Sequence, residues 1–291
     1  MIDHRPLKIA VASGKGGTGK TMVSTNLAAL RSQSGATLLV DLDVEEPNDF
    51  LFIPGELVHV SDQFKMIPDW DQNRCTLCGI CSKVCKYHAV IQLGTYIAVF
   101  KELCHGCYAC SELCPVEALP MRPYKMGTIS KKKFQNLTFL ESRLEIGEEQ
   151  AVPLIHQTHD LVDKNYADFK VQIFDCPPGT SCPVVAAVKD TDFVLLVTEP
   201  TPFGLNDLKL AVETMRKLDK PIGVVINRHG IGNDDVELYC QQQQLPVLAK
   251  IPFSRQIAEL YSNGSLAYQE VGHLRISLEQ VLSYIQNTVK P

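Results

Sequence analysis

Short aliphatic runs, each long enough for one buried strand, alternate at both ends of the chain with stretches of helical period. LKIAVAS (7–13) leads into a helical pattern over about residues 20–33, and TLLVDLD (37–43) follows. Later, FKVQIFD (169–175) and DFVLLVTE (192–199) precede a helical pattern over 204–218. PIGVVINR (221–228) comes next, then helices over about 234–243, 254–262 and 273–289. Strands apolar on both faces and separated by helices predict an α/β fold, a mostly parallel sheet covered on each side.

The middle breaks this rhythm. Residues 57–125 have short loops and few apolar runs, and residues 126–148 alternate weakly, which predicts a hairpin returning the chain to the main sheet. The expected organisation is one discontinuous domain, 1–56 plus 126–291, with residues 57–125 inserted. The insert repeats itself, with halves at about 66–95 and 96–125. CTLCGICSKVCKYHAV (75–90) and CHGCYACSELCPVEAL (104–119) align cysteine for cysteine at an offset of 29 residues, each reading C-x₂-C-x₂-C-x₃-C.

Composition changes the picture in two places. A formal charge of −5 over 291 residues gives no basic footprint for nucleic acid. No apolar run approaches the roughly 18 residues of a membrane span, and the N-terminus runs straight into a strand, so a cytoplasmic protein is expected. In a reducing compartment, cysteines at metal-ligand spacing read as ligands rather than disulfides. Eight of the eleven lie between Cys75 and Cys114.

GKGGTGKT (14–21) fits G-x-x-x-x-G-K-[ST] between a strand and a helix, the context that a phosphate-binding loop requires. Backbone N–H groups of Gly14, Gly16, Gly17, Thr18 and Gly19 converge on phosphate oxygens there, and the helix N-terminus adds a favourable dipole. Lys20 should neutralise the terminal phosphates and Thr21 should ligate Mg²⁺. Asp41, Asp43 and Asp175 end parallel strands, so their carboxylates should meet this loop. One of the three, Asp41 foremost, is also suited simply to cap a loop. Lys15, directly after the first glycine, is an extra lysine.

With that lysine the sequence resembles the MinD/ParA/Mrp group of P-loop ATPases, which also includes the nitrogenase iron protein. The resemblance covers residues 6–56 and 150–291. It implies ATP and Mg²⁺ as ligands and a nucleotide-sandwich dimer, formed with itself or with a related chain. Lys15 would reach the partner's phosphates, Asp43 would orient the attacking water, and Asp41 would belong to the first switch and Mg²⁺ shell. Asp175 would hold Mg²⁺ through water, with Gly179 sensing the γ-phosphate. Asn227 would read the adenine edge, and Arg228, Pro252 and Met22 would line the nucleotide.

In paired C-x₂-C-x₂-C-x₃-C motifs, three close thiolates grip one cubane and the remote fourth cysteine serves the other. The expected sets are Cys75, Cys78, Cys81 and Cys114 for one [4Fe–4S] cluster, and Cys104, Cys107, Cys110 and Cys85 for the second. Zinc is the competing metal, but a ribbon separates two pairs by 15–20 residues. The insert resembles a bacterial two-cluster ferredoxin, departing where Lys86 replaces the proline that Pro115 supplies in the second half. Cys182 falls where the nitrogenase iron protein places a bridging-cluster ligand; without a second ligand it reads as an ordinary buried cysteine, like Cys176 and Cys240. His156 and His159 read as a solvated helix face, His105 as a surface or backbone-bonding residue. The amphipathic C-terminal segment, with Arg275 and Lys290 offset by Glu279, reads as docked on the core rather than as a membrane anchor. The whole resembles MinD-superfamily ATPases with an inserted ferredoxin domain, implying nucleotide-gated electron transfer to a redox or metallocofactor protein. A cluster carrier of the Mrp type and a redox-sensing positioning ATPase are the alternatives.

Overall fold

The computed structural model describes residues 5–289; residues 1–4 and 290–291, Lys290 among them, lie outside it. Eleven strands and nine α-helices follow one another among the described residues. They are β1 (Leu7–Ser13), α1 (Lys20–Ser32), β2 (Thr37–Asp41), β3 (Glu56–Pro68), α2 (Ile80–Val84), β4 (Val90–Leu93), β5 (Tyr96–Val99), α3 (Ala109–Glu112), β6 (Met121–Phe134) and β7 (Leu137–Leu144). Then come α4 (Ala151–Asn165), β8 (Val171–Pro178), α5 (Cys182–Val188), β9 (Phe193–Thr198), α6 (Pro202–Lys217), β10 (Ile222–His229), α7 (Asp235–Gln242), β11 (Val247–Pro252), α8 (Arg255–Ser262) and α9 (Gly272–Thr288).

Two compact units emerge. One takes the chain up to Val60, Ile129–Arg143 and the chain from Ile155 on; the other takes Ser61–Thr128 and Leu144–Leu154. The second unit therefore begins later than residue 57 and includes a segment after the hairpin that the sequence pattern assigned to the outer domain.

The main sheet has the order β11-β10-β9-β1-β8-β2-β7-β6-β3. From β11 to β7 every neighbouring pair runs parallel. The hairpin expected over 126–148 is β6 and β7, turned at Gln135 with φ 52°. Ile9, Val11, Leu39 and Ile173 on one face and Ala10, Leu38, Val40 and Val194 on the other are wholly buried because helices cover both faces. On one face Leu27 and Leu30 of α1 share a core with Leu274, Leu278, Val281, Leu282 and Ile285 of α9. Each fully buried aliphatic chain contributes about 1.5–3 kcal/mol, so the apolar stripe of α9 is committed to the core.

Besides β11 and the short elements α2, β4, β5 and α3, three elements escaped the pattern. In β3 residues 56–60 are exposed and the apolar positions do not alternate, as on a sheet edge. Pro153 disguised α4, and α5 is only seven residues long. In α4, His156 is exposed, but His159 is not on a solvated face: it is 3 % exposed, its Nε2 is bonded to the Ala187 carbonyl at 3.1 Å, and its ring lies 5.1 Å from that of Phe174. Packing of α4 against β8 turns that face inward.

The second unit carries the duplication in its backbone. Leu77, Gly79 and His88 have positive φ (57°, 74°, 53°), and so do Gly106, Tyr108 and Glu117 (61°, 63°, 52°), each 29 residues further on. Helices α2 and α3 begin at the same offset. A β4–β5 hairpin pairs Val90 with Val99, and Val90, Ile97 and Leu119 pack with Cys81 and Cys110.

Candidate functional site

In the first unit, β1 ends at Ser13 and the chain turns through Gly14–Gly19 into α1. Gly19 adopts φ 91° and no side chain caps the helix, so the first N–H groups of α1 face outward, as an anion requires. Two contacts fix the loop from behind. A Cβ on Gly14 would stand 2.2 Å from the Asp207 carbonyl oxygen, and one on Gly19 would stand 2.2 Å from Asn227 Nδ2. That Asn227 amide donates to the Thr18 carbonyl at 2.8 Å, so the residue assigned to the adenine edge also braces the loop.

Lys20 is buried and reaches Asp175 Oδ1 at 3.1 Å and Asp43 Oδ2 at 3.8 Å. Burial pulls its pKa down, but Asp175 and Asp43 outweigh burial and hold the ammonium above its ordinary value. Thr21 Oγ1 lies 3.0 Å from Asp175 Oδ2 and 2.9 Å from Asn48 Oδ1. Asp41 is wholly buried and accepts the backbone N–H groups of Asp43, Asn48 and Asp49, which moulds the loop after β2. Burial pushes the Asp43 carboxyl up to about 6, with Lys20 pulling against it. Gly179, at φ 95°, donates its N–H to the Ser13 carbonyl at 2.9 Å.

Beside this cradle lies a cavity of about 400 Å³. Gly16, Gly17, Gly19, Lys20, Thr21, Met22 and Asp43 line its phosphate end, and Asn227, Arg228 and Pro252 line the other. Phe253, Ile257 and Tyr261 complete an apolar wall that sequence reasoning missed; Tyr261 stacks on Phe52 at 4.5 Å. Its signal was the amphipathic stretch after Pro252, where Ser254 caps α8 by accepting the Ile257 N–H.

Lys15 does not line the cavity. Its Nζ is held by Glu199 Oε1 at 2.7 Å, while Arg228 takes Oε2 of the same carboxylate at 3.1 Å. Asp49, also missed, is wholly buried in the short turn Asp49–Leu51, and its ligand oxygen lies within 4.8 Å of those of Asp41 and Asp175. Burial pushes its carboxyl well above the usual range, and Asp175 and Asp41 add to that.

In the second unit the cysteines gather in two groups. Burial raises the Cys81 thiol, and Cys75, Cys114 and Cys78 add to the shift. Burial likewise pushes Cys110 up to about 11, with Cys104, Cys85 and Cys107 contributing. Cys85, Cys104, Cys107 and Cys110 line one small cavity. The Ala89 N–H donates to Cys85 Sγ and the Ala118 N–H to Cys114 Sγ, both at 3.2 Å. His105 is exposed and stacks on Tyr87 at 3.6 Å. Cys176 and Cys240 are buried, but Cys182 is exposed, because it starts α5 directly after the glycine loop.

The model of the CobQ/CobB/MinD/ParA nucleotide binding domain matches residues 9–267. The chain belongs to that family. It is 31% identical over 279 residues to an uncharacterized protein of Methanocaldococcus jannaschii, covering 95% of this chain and 97% of the other. It is 26% identical over 300 residues to the iron-sulfur cluster carrier protein of Aquifex aeolicus, covering 95% and 67%. Among solved structures, the septum site-determining protein MinD of Pyrococcus horikoshii, complexed with Mg-ADP, is similar at TM-score 0.62 and 19% identity, covering 97% of each chain. The fold is thus that of a MinD-like P-loop ATPase. No helix among the described residues is long and apolar enough to cross a membrane.

Proposed function

We propose that the protein binds and hydrolyses Mg–ATP and couples closure of a nucleotide-bound dimer to electron transfer through two [4Fe–4S] clusters. The observation that carries this reading is the one small cavity that Cys85 of the first motif lines together with Cys104, Cys107 and Cys110 of the second. Cys75, Cys78, Cys81 and Cys114 would hold one cluster, and Cys104, Cys107, Cys110 and Cys85 the other. The repeated positive-φ turns and N–H···S bonds suit thiolates held around a bound group. When bound, such clusters supply one-electron chemistry at low potential.

The nucleotide residues act by position and charge. Lys20 and the N–H groups of the loop and α1 bind phosphates, Thr21 and Asp175 hold Mg²⁺, and Asp43 orients water for in-line attack. Lys15, once released from Glu199, reaches the phosphates of the partner protomer.

The test is ATP-dependent reduction of an electron acceptor by wild type, Lys15→Ala and Asp43→Ala, after iron content is shown to be equal. Both variants should keep their iron and lose the ATP-dependent part. Unchanged delivery in both would sink the gating. A second reading, a carrier that hands clusters on, is favoured by the relatives named iron-sulfur cluster carrier proteins. Iron passing to an apo-acceptor on incubation would support it over electron transfer.

A further inference from the structure

Around Lys20 the fold assembles four carboxylates, Asp41, Asp43, Asp49 and Asp175, against one ammonium. Three are at most 1 % exposed: Asp41, Asp49 and Asp175. Burying an uncompensated carboxylate is costly, so such groups are paired or bind cations. Asp175 has Lys20 and Thr21, and Asp41 has three backbone N–H donors. Asp49 has no hydrogen-bond donor for either oxygen. One proton shared with Asp175 would satisfy one Asp49 oxygen and leave the other bare.

We propose that Asp49 joins the Mg²⁺ site expected at Thr21, Asp41 and Asp175, and that this extra carboxylate lets the site take a Mg²⁺ or Mn²⁺ ion before nucleotide arrives. One ligand atom from each carboxylate already lies within 4.8 Å of the other two. Octahedral Mg²⁺ with bonds near 2.1 Å sets its oxygens about 3 to 4 Å apart, so little movement is needed. An all-oxygen donor set selects Mg²⁺, Mn²⁺ or Ca²⁺ over thiophilic metals. Asp49 supplies the extra anionic ligand that makes the site independent of phosphate oxygens. Thr21 and Asn48 connect it to the phosphate cradle, so an ATP that enters finds its metal in place. The inference rests on the nucleotide-site reading and not on the clusters.

The experiment titrates nucleotide-free, full-length protein with Mn²⁺ alone and reads free Mn²⁺ by its EPR signal. Wild type should bind one equivalent, and Asp49→Asn, which keeps the shape and removes the charge, should bind at least about tenfold more weakly. Thermal unfolding gives a second reading: Mn²⁺ should raise the midpoint of wild type but not of Asp49→Asn. In EDTA, Asp49→Asn should be the more stable of the two, because a buried amide needs neither a proton nor a cation to be neutral. Absence of Mn²⁺ binding without nucleotide, or equal binding by both proteins, overturns the proposal. A fluorescent ATP analogue, titrated separately with Mg²⁺, reports on the nucleotide-site reading by itself.

Discussion

Glu199 holds Lys15 within its own protomer, and neutralising it should tighten the ATP-bound dimer. The carboxylate is 11 % exposed and Lys15 31 % exposed, with 2.7 Å between them. That places the pair between a solvent-screened surface bridge and a buried one, at about 1 kcal/mol once screening is discounted. For Lys15 to reach a partner's phosphates, the contact must break once in each protomer, about 2 kcal/mol per dimer. Glu199→Gln keeps the side-chain shape and one acceptor while removing the charge. At 1.4 kcal/mol per decade the dimer dissociation constant should fall about 30-fold. Sedimentation velocity with Mg–ATP across a protein dilution series measures this directly. Lys15→Ala/Glu199→Gln should show no such gain over Lys15→Ala alone, because the coupling between the two residues has been removed. Equal dissociation constants for wild type and Glu199→Gln, or the same gain on the Lys15→Ala background, would refute the reasoning.

The crossed cysteine grouping is tested by iron content. Cys81→Ser/Cys114→Ser should keep about half the iron if both serve one cluster and nearly none if each serves its own half. Gly14→Ala drives a Cβ to 2.2 Å from the Asp207 carbonyl oxygen, whereas a Cβ at Gly16 meets nothing within 4 Å. Thermal melts should show Gly14→Ala down by about 2 kcal/mol, roughly 5 °C, and Gly16→Ala folded like wild type. Burial holds the His159 pKa below its ordinary value, with Asp190, Lys8 and Asp163 as its charged neighbours. The unfolded chain therefore binds the extra proton first, and stability falls as pH drops through about 6.5. His159→Gln should flatten that slope between pH 7 and 5 in urea titrations, and an unchanged slope would clear this residue of responsibility.

The parallel sheet was legible because its strands are buried on both faces, and continuous Val/Ile/Leu runs have few other uses in a chain with intervening helices. Helix ends were read to within a few residues wherever glycine or proline marks them, as at Gly19 and Pro202. What escaped lacks such marks. The exposed half of β3 carries no alternation, because neither of its faces is buried there. His159 looked like half of a solvent-facing pair because period alone does not tell which stripe of a helix meets the sheet. Cys182 looked buried by residue type, yet a helix start after a glycine loop leaves its side chain in solvent.

At the site the limit is of a different kind. Lys20, Thr21 and the glycines are legible because consecutive backbone N–H groups can cradle phosphate only in a local motif. Asp49 and Glu199 are not, because each matters through groups far along the chain, Asp175 for one and Lys15 for the other. In sequence Asp49 ends the polar run EEPND just ahead of FLFI; the short turn at Asp49–Leu51 buries it, and only then does its charge demand a partner. Glu199 reads as the end of a strand, and its position beside the phosphate loop follows from β9 pairing directly with β1. The two acids therefore press on the same loop in opposite senses. Glu199 draws Lys15 away from any partner, while Asp49 adds negative charge beside Asp41 and Asp175, where we propose the cation. A cation already bound there would answer the second demand before nucleotide arrives, and the first is answered only when another protomer offers Lys15 a better anion than Glu199.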